Sequence, residues 1–196
     1  MLKEKLQNIN IILASGSPRR QQFFRDLGLD FEVRLKEVDE VFPPGLKGGG
    51  ITQFLSELKA TPYKQNLQPN DLLVTSDTIV WHNEEMLGKP KDRNDAMNIL
   101  RSLSGRVHQV FTSVTFTTKC KTETITEVTN VTFALLSDEE IDFYLDRCAP
   151  FDKAGAYGIQ EWIGFIAVEK IEGSYTNVMG MPTAAVYRYL TDLKIE

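Results

Sequence analysis

The chain has 196 residues and a formal net charge of −5, with 42% hydrophobic and 25% charged residues. These proportions are typical of a globular protein, and the negative net charge excludes a main role in coating nucleic acid, because that role needs a basic surface. A small anionic ligand stays compatible with this charge, because a local basic pocket is enough to bind it.

The first predicted element is a strand over residues 9–14, because a strand buried on both faces reads as a nearly unbroken apolar run. A helix is predicted over residues 18–27. Ser17 is a favourable N-cap, Pro18 suits the first helical position, and Gly28 suits a helix stop. The sequence IILASGSPRR therefore predicts a strand, a sharp turn and the start of a helix.

The first turn of this helix carries two adjacent arginines, Arg19 and Arg20. Cations there are unfavourable, because the unpaired N–H groups already form the positive end of the helix dipole. A bound anion offsets this effect, and phosphate groups commonly bind at such a position. The turn therefore predicts an anion site, and the alternative is a pair of solvated arginines on an ordinary amphipathic helix.

The remaining predicted elements alternate between strands and helices. Up to residue 87 they are a strand at 30–36, a long loop rich in glycine and proline, a helix at 51–61 that Pro62 ends or kinks, a strand at 72–80 and a hairpin to a short return strand. Beyond it they are a helix at 92–103, paired strands at 107–118 and 124–136, a helix from a Ser137–Glu140 capping box to about residue 147, a strand at 165–171 and a helix at 182–193. The sequence thus predicts a mixed α/β fold in a single domain over residues 1–196.

The cysteine content and the N-terminal sequence indicate the cellular compartment in which the protein is expected. Cys120 and Cys148 are the only cysteines, too few for a disulfide framework, so both are expected to be free thiols. The first ten residues lack the apolar core of a signal peptide, and no run of about 18 apolar residues occurs. We therefore expect a cytoplasmic protein whose partners include neither a membrane nor a nucleic-acid polymer.

Asp77 lies within LLVTSDTIV, the clearest strand signal in the chain. Burying an unpaired carboxylate costs several kcal/mol, so Asp77 needs a cation, a strong set of hydrogen bonds or a metal. A hard divalent ion shared with phosphate oxygens satisfies this need, and the alternative is an aspartate that caps a loop at a strand end. Thr78 follows directly and faces the opposite side of a regular strand, so the two side chains are expected to have different roles.

Other polar residues are candidates for binding an anionic ligand. The loop FDKAGAYGIQ combines Lys153, two glycines that allow close backbone approach, and Gln160, whose amide can both donate to and accept from a base edge. The alternative is a connector with exposed charges. Lys59 in a helix and Lys89 in the turn GKP are further cations, although an exposed lysine is the usual case. Glu40 is an acidic candidate in a long loop that is otherwise expected to be solvated.

Several common catalytic signatures are absent from the sequence. There is no phosphate-binding loop of the form G-x-x-x-x-G-K-[ST], no G-x-S-x-G nucleophile elbow and no G-x-G-x-x-G fingerprint. His82 and His108 are the only histidines and have no ligand-spaced partner, so neither a zinc site nor a Ser-His-Asp triad is readily built. What is left is a set of phosphate-compatible cations and one carboxylate expected to be buried.

Six motifs along nearly the whole chain carry a family resemblance: ASGSPRR at 14–20, SDTIV at 76–80, LGKP at 87–90, LSGRVHQV at 103–110, FDKAGAYGIQ at 151–160 and GSYTNVMGMP at 173–182. In this order and spacing they resemble the Maf-like nucleoside triphosphate pyrophosphatases, a family first linked to septum formation. The resemblance implies a mixed twisted sheet with flanking helices, two lobes around a central cleft, and a relation to the inosine triphosphate pyrophosphatases.

The resemblance also implies an activity. Members hydrolyse a nucleoside triphosphate between its α and β phosphates, which yields the nucleoside monophosphate and pyrophosphate, with the help of a divalent metal such as Mg²⁺ or Mn²⁺. A homodimer is compatible with the family. The partner expected for this chain is therefore a nucleoside triphosphate substrate.

Individual residues match the functional positions of the family. Asp77 matches the catalytic acidic residue, usually assigned as the proton acceptor. Arg19, Thr78 and Gln160 match the branch that acts on dTTP and UTP, and not the branch that favours methylated GTP. The resemblance further implies phosphate-side contacts by Ser15, Arg20, Lys59, Lys89 and Lys153, and metal binding by Glu40 and Asp77.

Two alternatives stay open on the sequence. One is a nucleotide-binding regulator of cell division that does not hydrolyse its ligand; such a protein would tolerate loss of the carboxylate, and the presence of Asp77 favours the enzyme. The other is the same reaction on a modified pyrimidine nucleotide, because Thr78 and Gln160 alone do not specify the base.

Overall fold

The computed structural model describes residues 2–194, which contain seven strands and eight α-helices. The strands are β1 (Asn10–Leu13), β2 (Glu32–Val33), β3 (Asp71–His82), β4 (Glu85–Leu87), β5 (Val107–Thr117), β6 (Thr122–Phe133) and β7 (Val168–Glu172). The helices are α1 (Leu2–Lys5), α2 (Pro18–Asp26), α3 (Gly49–Ala60), α4 (Arg93–Leu103), α5 (Asp138–Cys148), α6 (Trp162–Ala167), α7 (Tyr175–Val178) and α8 (Thr183–Asp192). Two 3₁₀ turns cover Thr61–Asn66 and Ala154–Ala156.

The strands form one mixed sheet in the order β2-β1-β3-β5-β6-β7, and β4 pairs with β3 outside this path. Strand β1 is parallel to both β2 and β3, whereas the β3–β4 and β6–β7 pairs are antiparallel. The mixed α/β class predicted from the sequence is therefore confirmed, as are the hairpin after β3 and the neighbouring positions of β5 and β6.

The chain divides into two compact units. Unit 1 comprises the chain up to Asp77, Thr112–Glu127 and the chain from Gly180 onwards. Unit 2 comprises Thr78–Phe111 and Val128–Met179. Each unit has its own buried apolar cluster, so each is described by itself below.

In unit 1, strand β1 is buried on both faces. Leu13 packs in a cluster with Phe24 of α2 and Leu190 of α8, whereas Ile12 faces a second cluster that includes Ala60 and Tyr63. The apolar run that predicted this strand therefore reflects burial on two sides. In unit 2, the core is formed by α4, α5, α6 and the strand residues that they cover.

The predicted helix starts are confirmed at three positions. The Ser17 side chain accepts a hydrogen bond from the Arg20 backbone N–H at the start of α2. Asp92 caps α4 in the same way, and Ser137 with Glu140 forms the capping box of α5. Each cap satisfies N–H groups that would otherwise have no partner in the first helical turn.

Two predicted strands are wrong or shortened. The strand predicted at 30–36 is reduced to Glu32–Val33, because Val33 and Leu35 are 39% and 64% exposed and do not reach a core. The strand predicted at 165–171 begins only at Val168, because Trp162–Ala167 forms α6, in which Ile163 and Ala167 are buried four residues apart. Short apolar runs do not distinguish a helix from a strand by their spacing alone.

Other boundaries differ less. Helix α3 ends at Ala60 and a 3₁₀ turn with Pro62 in its first positions follows it, as expected for a proline that cannot continue an α-helix. Helices α1 and α7 were not predicted.

Cys120 and Cys148 are free thiols, as expected. Within residues 2–194, none of the helices has the length and apolar character needed to span a membrane.

Candidate active site

Asp77 is the last residue of unit 1 and is only 6% exposed. Its Oδ1 atom accepts a hydrogen bond of 2.6 Å from the ammonium of Lys59. Its Oδ2 atom is buried and accepts no hydrogen bond from any residue in 2–194. The carboxylate is therefore paired on one side and has a buried acceptor on the other side that needs a donor or a cation.

Lys59 brings a second carboxylate to this position. It lies in the last turn of α3, and its Nζ atom is 3.1 Å from Oε1 of Glu40 as well as 2.6 Å from Oδ1 of Asp77. The Glu40 side chain is 55% exposed, whereas that of Lys59 is 20% exposed. One ammonium thus contacts two carboxylates of different burial and balances the charge of one of them.

Arg20 contacts the backbone next to Asp77. Its Nη1 atom donates to the carbonyl of Ser76 at 2.9 Å, and its Nε atom donates to the carbonyl of Gly180, also at 2.9 Å. Loss of solvent around the guanidinium lowers the pKa of Arg20, and the negative charge of Asp77 opposes this effect. Arg20 therefore joins the start of α2 to the strand that carries the carboxylate.

Ser15 and Arg19 lie on either side of the turn into α2. The buried Ser15 hydroxyl accepts from the backbone N–H of Ser17 at 3.3 Å, and the Ser15 carbonyl accepts from the Gln21 amide at 3.2 Å. The Arg19 side chain is half-buried, and its charge is one of the influences that lower the pKa of Arg20. Two cationic side chains thus occupy the first turn of the helix, as the sequence indicated.

The two carboxylates offer a partial ligand set for a divalent metal. Among residues 2–194, no three His, Cys, Asp or Glu side chains are grouped so as to hold a metal ion. Mg²⁺ in nucleotide enzymes is usually bound by one or two carboxylates together with phosphate oxygens and water. The buried, unpartnered Oδ2 of Asp77 and the exposed Glu40 fit that arrangement.

In unit 2, Thr78 and Lys89 lie on and after the β3–β4 hairpin. Thr78 is half-buried, and because β3 continues without interruption through it, its side chain points to the face opposite that of Asp77. Lys89 is exposed in the turn that follows β4. The carbonyl of Gly88 in this turn accepts a hydrogen bond of 3.0 Å from Gly155, which links the turn to the loop after α5.

That loop carries Lys153 and Gln160. The Lys153 side chain is 12% exposed, and its Nζ atom is 2.8 Å from Oδ1 of Asp152 and 3.1 Å from Oε1 of Glu161. Burial alone would lower the pKa of Lys153, but hydrogen bonds to these two carboxylates outweigh it and raise the pKa. Oε1 of Gln160 is buried and has no hydrogen-bond partner in residues 2–194.

Several residues in these contacts were not singled out in the sequence. Gly180, whose carbonyl binds Arg20, lies in the motif GSYTNVMGMP, which carried the resemblance but no assigned role. Glu161 directly follows Gln160, and its partner Tyr144 lies on α5. The only available signal was adjacency to a candidate residue, because the contacts themselves join segments that are distant in sequence.

Comparison with known proteins gives consistent results. A family described as Maf-like protein matches residues 10–193. A protein named dTTP/UTP pyrophosphatase from Flavobacterium johnsoniae is 61% identical over 98% of this chain and 100% of its own length. Proteins with the same name from Christiangramia forsetii and Bacteroides fragilis are 50% and 49% identical, over 98% and 96% of this chain and 98% of their own lengths.

One solved structure shows a related fold. The Ham1 protein of Staphylococcus aureus aligns with a TM-score of 0.51 over 91% of this chain and 98% of its own length, with 14% identical residues. At this level of identity the likeness concerns the fold alone. It supports the predicted relation to the inosine triphosphate pyrophosphatase fold.

Proposed function

Since the chain belongs to the Maf-like protein family, we propose that it is a nucleoside triphosphate pyrophosphatase that hydrolyses dTTP and UTP. The products are the nucleoside monophosphate and pyrophosphate. Support comes from relatives of 49% to 61% identity over nearly their whole length that are named for this activity. A modified pyrimidine nucleotide is a further candidate substrate, because it presents the same triphosphate.

The observation that carries the proposal is the state of the Asp77 carboxylate. One oxygen is fixed by Lys59 at 2.6 Å, and the other is buried without a partner among the described residues. A buried acceptor of this kind is unfavourable unless a bound group satisfies it. Asp77 is therefore positioned to accept a proton from a water molecule or to bind a metal.

Maf-like nucleotide pyrophosphatases are generally metal-dependent. We assign Asp77 and Glu40 as the protein ligands for Mg²⁺ or Mn²⁺, because both carboxylates contact the same ammonium and the rest of the coordination shell can come from phosphate and water. When bound, the metal neutralises phosphate charge and polarises the phosphoryl oxygens. Lys59 keeps the two carboxylates together when the metal is absent.

The reaction requires one water molecule and no covalent intermediate with the protein. The water oxygen forms a bond to the α-phosphorus, and the bond from the α-phosphorus to the bridging oxygen breaks so that pyrophosphate leaves. One water proton passes to Asp77 when its free oxygen is not bound to the metal, and otherwise to solvent. Charge develops on the leaving group, and positioned cations stabilise it. In unit 1 these are Arg19 at the start of α2 and Lys59, with Ser15 as a hydrogen-bonding group.

We assign Arg20 to a phosphate contact as well, and its guanidinium has a second part within the protein. Its guanidinium binds the carbonyls of Ser76 and Gly180, so it holds the backbone beside Asp77 in place.

Unit 2 supplies the groups that we assign to the base and to further phosphate contacts. The buried Oε1 of Gln160 needs a donor, and the N3–H group that uracil and thymine share is one. Thr78 is likewise assigned to recognition of the pyrimidine base. Lys89 and Lys153 are assigned to phosphate oxygens, which lysine binds as a point charge.

The test is product analysis with purified protein, Mg²⁺ or Mn²⁺, and a panel of UTP, dTTP, CTP, GTP and modified pyrimidine triphosphates. Pyrophosphate and monophosphate from UTP and dTTP support the proposal. Release of orthophosphate instead would contradict cleavage between the α and β phosphates. Binding of UTP without turnover in the presence of either metal would favour the regulator over the enzyme.

A further inference from the structure

The loop from Lys153 to Gln160 has a backbone shape that its surroundings must hold. Gly155 and Ala156 both have positive φ angles, 71° and 57°, a conformation that is costly for a residue with a side chain. A Cβ atom at Gly155 would lie 2.7 Å from Cγ2 of Val80, so the loop packs directly on β3. Such a conformation persists only where contacts on several sides determine it.

A chain of polar contacts closes this loop. The backbone N–H of Gly158 donates to the Tyr144 hydroxyl at 3.0 Å, and that hydroxyl donates to Oε2 of Glu161. The other oxygen of Glu161, Oε1, is 3.1 Å from Nζ of Lys153. Tyr144 is fully buried, so these contacts are largely protected from solvent.

Glu161 also fits closely against the backbone of the loop. Its own N–H donates to the Gly158 carbonyl at 2.9 Å, and a Cβ atom at Gly158 would lie 2.7 Å from Cδ of Glu161. A side chain on residue 158 would displace the carboxylate from its present position. Gln160 is held inside this turn, because Gly158 before it and Glu161 after it belong to the contact chain.

Tyr144 acts in this chain as a donor. Burial raises the pKa of its hydroxyl, and the hydrogen bond to Glu161 raises it further. The hydroxyl therefore stays protonated at neutral pH. It can accept from Gly158 and donate to Glu161 at the same time, as a hydroxyl has one donor and two acceptor positions.

We propose that Glu161 is a positioning residue of the nucleotide site, holding the Lys153 ammonium with one carboxylate oxygen and, through Tyr144, the backbone of Gly158 in the turn that carries Gln160 with the other. The inference rests on the proposed function, in which Lys153 binds phosphate and Gln160 reads the base. Glu161 itself is not assigned a contact with substrate.

Two substitutions separate the two halves of this role. Glu161→Gln keeps the shape and can still accept from Tyr144, but it removes the charge that holds Lys153. Tyr144→Phe keeps the ion pair with Lys153 but removes the hydroxyl that binds Gly158. Asp152→Asn is the matched control, because it neutralises the other carboxylate that contacts Lys153. The Asp152 side chain is 74% exposed, so water screens its charge.

The measurements are KM and kcat for UTP, the ratio of kcat/KM for UTP over CTP, and the affinity for α,β-methylene-UTP, which is not cleaved between the α and β phosphates. Glu161→Gln is expected to raise KM and to weaken analogue binding about tenfold, with kcat within about threefold of the parent. Tyr144→Phe is expected to lower the UTP/CTP ratio about fivefold. Asp152→Asn is expected to stay within about twofold of the parent in KM.

A purely structural role for Glu161 would lower the melting temperature but leave KM and the base ratio of the folded fraction unchanged, and that result would overturn the inference. Should Glu161→Gln fail to fold, the UTP/CTP ratio of Tyr144→Phe decides in its place, and an unchanged ratio there would likewise overturn it. Absence of turnover by the parent protein would contradict the proposed function instead. In that case the analogue affinities of the same variants still test the positioning role.

Discussion

The contact of Lys59 with both Asp77 and Glu40 links charge balance in unit 1 to the proposed chemistry. The Asp77 side chain is 8% exposed and that of Lys59 is 20% exposed, so their attraction is screened less than that of a surface pair. A metal bound to the two carboxylates would compete with the ammonium for them. Lys59 therefore suits a dual role, as a counter-ion before the metal binds and as a phosphate contact afterwards.

The first prediction concerns Asp77→Asn. The amide keeps the size of the side chain but accepts protons poorly and binds divalent metals weakly. We expect kcat for UTP to fall by about 10² to 10⁴, which is the usual loss when a general base is removed. The melting temperature should not fall, since the substitution removes a buried charge. Near-full activity in a folded Asp77→Asn protein would refute the catalytic role.

The second prediction concerns the coupling between Lys59 and Asp77. Lys59→Gln alone leaves the Asp77 carboxylate buried without its counter-ion, and we expect a loss of about 1 to 3 kcal/mol in the free energy of unfolding. In the Asp77→Asn background the same change should cost at least about 1 kcal/mol less, because the only carboxylate that then loses the ammonium is Glu40, which is exposed to water. Urea unfolding of the four proteins measures this cycle, and additive effects would show that the 2.6 Å contact has little energetic weight.

At this scale the sequence identified the residues but not their contacts. Asp77 was singled out from the sequence because a carboxylate within an apolar strand needs a partner. Its pairing with Lys59 depends on how α3 packs, and the hydrogen bond from Arg20 to Gly180 joins residues 160 positions apart. Local patterns carry no signal for such contacts, which explains why Arg20 was expected to bind only phosphate.

Among the elements, α3 is distinctive because a polar face packs it against the sheet in unit 1. The Ser56 hydroxyl is 2.7 Å from that of Thr115, which is 2.9 Å from that of Thr124, and Thr124 donates to Oε1 of Glu57 at 3.0 Å. A parallel set joins Thr52, Ser113 and Thr126 through contacts of 2.7 and 2.8 Å. Since directional hydrogen bonds fix the helix more narrowly than apolar packing, they help to define the position of Lys59.

The third prediction tests this network with Thr115→Val. Valine has nearly the same shape, but it removes the hydrogen bonds of Thr115 with Ser56 and Thr124, and two such bonds together contribute about 2 kcal/mol. We expect the melting temperature to fall by about 4 to 8 °C for a chain of this size. Thr122→Val, at an exposed position of β6, serves as the control and should change it by less than about 2 °C. Equal shifts in the two variants would contradict the network.

The elements show where sequence reasoning succeeds and where it fails. The helices that begin at Pro18, Arg93 and Asp138 were predicted because capping residues act locally. The strand at 165–171 was wrong in its first half, because WIGFIA is apolar enough for either state and tertiary packing selects the helix. The strand at 30–36 shrank because alternation indicates a strand only where one face is covered.

At the scale of the whole molecule, the bounds of the two units were not visible in the local sequence pattern. Unit 1 is built from three separate segments of the chain and unit 2 from two. Domain boundaries are recognised in a sequence by linkers, and a chain that enters each unit more than once has no linker to recognise. The resemblance carried by the six motifs therefore implied the family, the fold class and two lobes, but not the residues at which the chain passes from one unit to the other.

The last prediction concerns acid stability and arises from His108 in unit 2. Its Nε2 atom is 2.8 Å from the Tyr157 hydroxyl, its ring packs edge-on against Phe133, and its Nδ1 atom is buried without a partner in residues 2–194. Burial lowers the pKa of His108 to about 3, and the neighbouring His82 contributes in the same direction. The folded protein therefore holds this imidazole neutral at any pH near neutrality.

Because the pKa of His108 is lower in the folded than in the unfolded chain, its contribution to stability is full above about pH 6.5 and is lost as the pH falls towards 3. Between pH 7 and pH 5 this loss amounts to about 2 kcal/mol at 1.36 kcal/mol per unit. His108→Gln can keep a hydrogen bond to Tyr157 but has no proton to gain. The free energy of unfolding of this variant, measured by urea titration at pH 7, 6 and 5, should fall by about 2 kcal/mol less than that of the parent. Parallel curves for the two proteins would mean that His108 takes up its proton equally in both states, and the burial of its ring would then not govern acid stability.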